Sequence, residues 1–265
     1  MTNQKSLNRE QYQDSSQYDI RTEILKFGSH PLSPWQWLAK QYDFSSAKTI
    51  LELGCGNGLF WQVAASLLTP QQTVVATDFS AGMLAASQTN LKNIPQAKQF
   101  SYQVEDAEQL SFSENHFEVV LAHLLMHLLS SPLQALHEIK RMLTPGGFAG
   151  ITVFPNDFMQ SIFILANELL PQSHYKSAAE KCSVNVLERE LTKLFSRIEK
   201  LEYVNHLKIT ESVKVVQFIR STSMAKQHNL TEDYIECLTN KADQLISSLG
   251  ALVTSFKLTL FIVTK

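Results

Sequence analysis

The residues best placed to do chemistry in this chain are an acid and three glycines at alternate positions, Glu52-Leu53-Gly54-Cys55-Gly56-Asn57-Gly58, which follow the apolar run Thr49-Ile50-Leu51. Glycine lacks a Cβ and takes positive φ readily, so such a stretch can turn sharply and bring bare main chain against a ligand. Two further carboxylates each stand just past a run that reads as a strand. Asp78 follows Thr73-Val74-Val75-Ala76-Thr77, roughly twenty residues beyond the glycines, the separation at which an acid accepts from the hydroxyls of an unphosphorylated ribose. Asp106 comes after Phe100-Ser101-Tyr102-Gln103-Val104 and can accept from an adenine amino group. Two histidines, His123 and His127, follow a fourth run, Phe117 to Ala122. Histidine carries protons near neutral pH, so either can act as a general base, the competing reading being a hydrogen-bonded structural histidine.

These side chains are useful only if strands end where they stand. The four apolar runs read as those strands, and Leu59 to Leu68 reads as a helix whose N-terminus opens onto the glycines, giving half of a nucleotide-binding βαβ unit. Met83 to Leu91 and Leu133 to Leu143 read as the next helices, the second capped by Ser130-Ser131 with Pro132 in its first turn. Pro145-Gly146-Gly147 ends it, and Phe148 to Phe154 reads as the fifth strand. Helices at Phe158 to Leu170, Val186 to Phe195, Ser212 to Ser221 and Glu232 to Leu249, with strands at Ile198 to Tyr203 and Leu258 to Val263, complete the pattern. Alternation of this kind predicts an α/β, doubly wound fold. Ahead of it, Met1 to Gln17 is polar and expected to be mobile, and Tyr18 to Phe27 and Leu32 to Tyr42 read as short helices. The predicted organisation is a tail with lid and leading helices over 1–45, and a ligand-binding domain over 46–265 with cap insertions at about 155–185 and 205–250.

The ordered series Glu52 to Gly58, Asp78-Phe79-Ser80-Ala81-Gly82-Met83-Leu84, Asp106-Ala107-Glu108 with Phe112, Phe117-Glu118-Val119-Val120-Leu121-Ala122 and Leu143-Thr144-Pro145-Gly146-Gly147 resembles that of class I S-adenosylmethionine-dependent methyltransferases, in particular the small-molecule enzymes of the type 11/25 kind. The likeness is strong from Thr49 to Phe154, and the segment Pro34-Trp35-Gln36-Trp37-Leu38 resembles the leading helix of many of them. It implies a Rossmann-like, seven-stranded, mostly parallel sheet whose last strand is antiparallel and inserted beside its neighbours. It implies S-adenosylmethionine as cofactor and S-adenosylhomocysteine as product. Glu52, Gly54, Cys55, Gly56 and Gly58 would then form the loop at the methionine part, Asp78 would hold the ribose, and Phe79 and Met83 would flank the adenine. Asp106 and Ala107 would read the adenine edge, and His123 would sit near the sulfonium. Separately, the polar segment ahead of the leading helices is expected to close over the cofactor as a gate from Tyr12 to Phe27, with Tyr18 touching the cofactor, the competing reading of Tyr12, Tyr18 and Arg21 being an ordinary amphipathic surface. His127 and His123 are the candidate bases for an acceptor that arrives protonated, with His127 preferred.

Composition bounds the partners. A formal net charge of -2 gives no electrostatic footprint for nucleic acid. The Asn/Asp-Pro-Pro-aromatic motif of nucleic-acid amino-methylating enzymes is also missing, since the chain there reads Ala122-His123-Leu124-Leu125. The longest apolar run, Val119 to Leu129, is too short to cross a bilayer, and Met1 to Asp19 has no apolar core of a secretory signal. Three widely spaced cysteines make no disulfide framework or zinc site, which predicts a cytoplasmic chain with no metal. The expected partner is a small-molecule acceptor, with neither nucleic acid nor membrane, and the expected state is monomer or homodimer. Two other functions stay open. A nicotinamide oxidoreductase would share Asp78, but its G-x-G-x-x-G needs a glycine where Leu59 stands, and no Tyr-x-x-x-Lys pair is present. A non-catalytic S-adenosylmethionine sensor would keep every motif and lose only the acceptor pocket.

Overall fold

The glycine loop, Asp78, Asp106 and His123 all lie at the same edge of one sheet. The structure, a computed structural model, describes residues 11–169, 182–222, 225 and 230–265. Helix α1 (Ser16–Glu23), continued by a 3-10 turn over Ile24–Phe27, and α2 (Pro34–Ala39) precede β1 (Thr49–Leu53). Then come α3 (Leu59–Ala64), β2 (Thr73–Asp78), α4 (Ala81–Leu91), β3 (Phe100–Val104), β4 (Phe117–Ala122), α5 (Pro132–Met142) and β5 (Leu143–Val153). The chain closes with α6 (Gln160–Glu168), α7 (Val184–Leu194), β6 (Arg197–Ile209), α8 (Ser212–Arg220), α9 (Glu232–Leu249) and β7 (Leu252–Thr264).

The seven strands form one sheet in the order β3-β2-β1-β4-β5-β7-β6. Strands β1 to β5 pair in parallel, and β7 lies antiparallel between β5 and β6. The α/β, Rossmann-like sheet with an antiparallel, inserted last strand is therefore the fold that the motif series implied. Ile50, Leu51 and Leu53 of β1 are all buried because helices cover both faces, as expected of a parallel sheet. One core packs Ile50, Trp61, Val119 and Leu121 with the N-terminal and C-terminal helices, and the opposite core packs Leu51, Val120, Leu136, Ile139 and Leu187. Strand order reverses at β1, with β2 on one side and β4 on the other, and open α/β sheets place ligands at that switch point.

Local chemistry sets the element ends. Ser33 and Gln36 form a reciprocal capping box on α2, and Pro34 sits in its first turn. Thr231 caps α9, and Gly250 at φ 81° terminates it. The predicted serine cap on α5 is corrected: Ser131 makes no side-chain cap, and the Glu108 carboxylate instead accepts the Ser130 and Ser131 N–H groups at 2.5 and 2.8 Å. Strands also depart from expectation. β5 begins at Leu143 and not Phe148, and its pairing jumps from Leu143↔Phe117 to Phe148↔Val119, so Pro145-Gly146-Gly147 forms an irregularity within the strand. β6 runs on to Ile209 and β7 starts at Leu252. Of the expected helix Phe158 to Leu170, the described part is Gln160–Glu168, and Leu170 lies outside the described residues. Residues 1–10 of the expected mobile tail and 170–181 of the first cap insertion also lie outside them.

Candidate functional site

A single cavity at the carboxyl edge of β1 to β4 gathers most of the residues singled out from the sequence. Glu52, Gly54, Cys55 and Gly56 line it from the first strand and its loop, Asp78, Phe79 and Met83 from the second, and Asp106 and Ala107 from the third. His123 lines it from the fourth, and Tyr18 from α1. Gly58 and His127 are not lining residues. Gly58 serves packing: it is the α3 N-cap at φ 81°, and a Cβ there would stand 2.7 Å from Ser87 Oγ on α4. Only glycine lets α3 and α4 close together behind the loop.

Asp78 is the hub of the loop. Its Oδ2 accepts the Gly56 N–H at 3.0 Å and its Oδ1 accepts the Ser80 N–H at 2.9 Å, so one carboxylate joins the glycine turn to the start of α4. Burial pushes the Asp78 carboxyl above its ordinary range, opposed by those backbone N–H groups and reinforced by the Glu52 charge. Beside it, burial and then the Glu52 and Asp78 charges push the Cys55 thiol up, which leaves a neutral, unreactive side chain. Asp106 Oδ1 accepts the Glu108 N–H at 3.0 Å, shaping the loop after β3.

Glu52, 2% exposed, accepts the Trp61 indole N–H at 2.6 Å through Oε2, and its Oε1 lies 3.6 Å from His123 Nδ1. His123 Nε2 is 2.9 Å from the Tyr42 hydroxyl, and its ring packs on Phe60 with centroids 4.5 Å apart. Leu124 follows in the left-handed region at φ 51°, held by its N–H donating to Thr152 Oγ1 at 2.8 Å. A branched residue in that conformation marks a turn over-determined by its surroundings, as is frequent beside binding sites. His127, beyond it in a 3-10 turn (Met126–Leu128), packs on Phe154 with ring centroids 5.1 Å apart. The two histidines therefore do not share a helical face, and the preferred candidate base is the one held outside the cavity.

The N-terminal segment covers the site. Tyr12 and Tyr18 line the cavity, and the Arg21 guanidinium lies 5.4 and 5.9 Å from their ring centres. Burial raises the Tyr18 phenol above its ordinary range. Ser80 Oγ donates to the Tyr12 carbonyl at 2.6 Å, and Asn57 Nδ2 donates to Asp19 Oδ1 at 2.7 Å, which ties the cover to both cofactor-side loops. Gln11 Nε2 donates to the Ser221 carbonyl at 2.6 Å, and Arg21 Nη1 donates to the same oxygen. None of the described lining residues comes from α6, α8 or α9; of these helices, α8 packs against α1 and the 3-10 turn that follows it. Of the two tryptophans of α2, Trp35 lines the cavity and Trp37 packs on Tyr203. Sequence reasoning passed over Tyr42, Asn57 and Phe60, whose partners at the site lie many residues away in the chain.

A direct consequence is testable at Gly82. A Cβ there would collide with the Gln13 carbonyl, whereas alanine suits a helix better than glycine by about 1 kcal/mol. Gly82→Ala should leave thermal stability intact, displace residues 11–13 and speed hydrogen exchange over 11–27. Unchanged exchange there would show that the segment is not seated on α4.

The site fits S-adenosylmethionine. An ionised Asp78 is an acceptor-only group of the kind that takes ribose hydroxyls, Phe79 and Met83 are apolar lining residues beside it, and the described lining residues include no Lys or Arg of the kind that takes a ribose phosphate. A family described as "Methyltransferase domain" matches residues 51–151. The biotin biosynthesis bifunctional protein BioHC of Teredinibacter turnerae is 29% identical over 156 residues, 54% of this chain and 27% of that protein. The ubiquinone/menaquinone biosynthesis C-methyltransferase UbiE of a Shewanella species is 27% identical over 136 residues, 50% of this chain and 53% of that one. The chain thus spans only part of the length of these curated relatives. In fold it is similar to the Haemonchus contortus phosphoethanolamine N-methyltransferase 2 complex with phosphomonomethylethanolamine and S-adenosylhomocysteine, at TM-score 0.59 and 19% identity over 100% of this chain and 60% of that one. Residues 51–151 thus match a methyltransferase domain, and the cavity they help build has the shape and chemistry to take S-adenosylmethionine.

Proposed function

We propose that this chain transfers a methyl group from S-adenosylmethionine to a small-molecule acceptor. One observation carries the reading: the glycine loop, Asp78 and Asp106 open into the same cavity as an apolar wall of Trp35, Phe60, Leu124, Leu125, Leu128 and Leu129. When bound, the cofactor supplies an already activated methyl group, so the protein's work is alignment and exclusion of water. Asp78, Asp106 and the loop fix one partner, and the leucine wall with Trp35 takes an acceptor that is largely apolar at its reacting end. Tyr12 and Tyr18 shut the cavity from above. UbiE is a C-methyltransferase and the nematode enzyme an N-methyltransferase, so relatives of this fold methylate different atoms.

Because His127 packs on Phe154 outside the cavity, His127→Asn should keep turnover within about threefold of the parent, well short of the roughly hundredfold loss of a removed general base. A hundredfold loss in kcat with unchanged cofactor affinity would restore it as the base. The function itself is tested by a thermal-shift screen of metabolites with S-adenosylhomocysteine present. An acceptor should raise the melting temperature further than the product alone and should yield S-adenosylhomocysteine when mixed with S-adenosylmethionine. A protein stabilised by the product and by no acceptor would point to the sensor reading.

A further inference from the structure

The leucine wall of the cavity is one loop, and its far end is held by a carboxylate from the turn after β3. Leu124, Leu125, Leu128 and Leu129 all lie between β4 and α5 and line the cavity. The loop is fixed at its start, where the Leu124 N–H donates to Thr152 Oγ1 at 2.8 Å, and again at Met126, which is fully buried in the core with Leu136 and Ile139. Beyond Met126 the chain returns to the surface. The Leu129 N–H reaches the Met126 carbonyl only at 3.4 Å, Ser130 and Ser131 are exposed, and Ser131 gives α5 no side-chain cap. There Glu108 holds the main chain, its Oε1 accepting the Ser130 and Ser131 N–H groups at 2.5 and 2.8 Å. A carboxylate at the first turn of a helix is also favoured by the helix dipole.

The turn that carries Glu108 forms a unit with α5. Asp106 Oδ1 accepts the Glu108 N–H at 3.0 Å and the Asp106 carbonyl accepts the Gln109 N–H at 2.8 Å, which fixes where the Glu108 side chain starts. Further along, Glu138 Oε2 accepts the Leu110 N–H at 2.8 Å, and Arg141 donates to the carbonyls of Leu110 and Phe112 at 3.0 and 2.8 Å. Asp106 and Glu108 both line the cavity, two residues apart. In the proposed reading Asp106 takes the adenine amino group, so a ligand seated there also steadies the residue from which Ser130 and Ser131 hang.

We propose that Glu108 is a positioning residue that couples the two halves of the cavity: seating the adenosine part of the cofactor on Asp106 steadies Glu108, and Glu108 draws Leu128 and Leu129 into the wall against which the acceptor rests. The acceptor then binds better after the cofactor than before it, and by reciprocity the acceptor tightens the cofactor. This coupling rests on the cofactor reading above.

Hydrogen exchange of the parent, Glu108→Gln and Glu108→Ala proteins, each free and saturated with S-adenosylhomocysteine, tests it. In the parent the ligand should slow residues 128–131 by about tenfold, the size of one charge-assisted hydrogen bond. Glu108→Gln keeps an oxygen for the two N–H groups and should keep most of that slowing, whereas Glu108→Ala should keep less than about twofold. All three should bind S-adenosylhomocysteine within about threefold of one another by calorimetry and slow alike at the glycine loop, residues 54–58, which reports that the alanine variant is folded and loaded. Adenosine, which lacks the methionine part, should slow residues 128–131 of the parent as S-adenosylhomocysteine does. An acid that merely supports the loop would speed exchange equally in the free and loaded protein, so ligand-dependent slowing that survives in Glu108→Ala would overturn the coupling. Slowing by S-adenosylhomocysteine with none by adenosine would overturn the route through Asp106. A parent protein that binds no S-adenosylhomocysteine would overturn the cofactor reading, and the coupling with it.

Discussion

Asp78→Ala should weaken binding of S-adenosylhomocysteine by about 1.5–3 kcal/mol, roughly tenfold to more than a hundredfold in Kd. The residue does two jobs, and alanine removes both. In the proposed reading it accepts from the ribose hydroxyls, and it holds the Gly56 and Ser80 N–H groups at 3.0 and 2.9 Å, so its loss also loosens the glycine turn. Asp78→Asn, which keeps one acceptor oxygen, should lose less. The same residue fixes the sign of the pH dependence. Hydroxyl donors favour the carboxylate over the acid, so the bound state prefers Asp78 ionised, while burial raises its pKa in the free protein. Affinity should therefore be full at neutral pH and fall on acidification, beginning above the pH at which an ordinary aspartate protonates. Calorimetry from neutral to mildly acidic pH reads this directly, and a flat profile identical to that of Asp78→Asn would place the ribose elsewhere.

The largest expected loss of stability is at Trp61. This side chain is fully buried in the core behind the glycine loop, packs edge-on against Phe60 and Phe100 with ring centroids 5.0 and 5.3 Å apart, and donates to Glu52. Trp61→Phe removes the indole N–H from a buried carboxylate and leaves a void beside it. Hydrogen bonds to charged groups are worth about 1.5–3 kcal/mol, and the cavity adds to that. The variant should unfold at clearly lower denaturant concentration with an unchanged m-value, by about 2–4 kcal/mol in all. Trp61→Phe combined with Glu52→Gln should recover part of this, because a neutral amide costs less when left with fewer donors. No recovery in the double variant would mean that the loss is packing alone.

The parts of the molecule legible in the sequence are those where local pattern and tertiary role coincide. β1, β3 and β4 are short runs dominated by aliphatic, β-branched and aromatic residues, and α9 carries a threonine cap, two acids in its first turn and a terminal glycine, so their limits can be read from residue types. β6 and β7 are longer than the sequence indicates because their outer halves bury polar residues. Tyr203, Asn205, Leu207 and Ile209 all face inward, with Asn205 accepting the His30 N–H at 2.9 Å; in β7, Thr254 stands inward between Leu252 and Phe256. An inward asparagine or threonine interrupts the apolar alternation that identifies a strand. The Pro145-Gly146-Gly147 signal is a real break that the sheet absorbs by skipping register.

At the site, the cofactor loop is legible because glycine spacing and acids at strand ends are local facts. The long-range contacts around it are not. Tyr42 meets His123 across 81 positions, Asn57 meets Asp19 across 38, and Gln11 meets Ser221 across 210, and no spacing rule reaches that far. His127 illustrates the converse: a histidine close to the site in sequence stands in the 3-10 turn after the left-handed Leu124 and packs on Phe154 rather than lining the cavity.

Titration of the whole 265-residue chain with S-adenosylhomocysteine, set beside an identical titration with NAD, tests the central assignment most directly. The geometry predicts saturable one-site binding of S-adenosylhomocysteine, weakened in Asp78→Ala, and no measurable heat with NAD, because Leu59 stands where a dinucleotide loop needs glycine. Binding of NAD, or S-adenosylhomocysteine binding that Asp78→Ala leaves untouched, would contradict it.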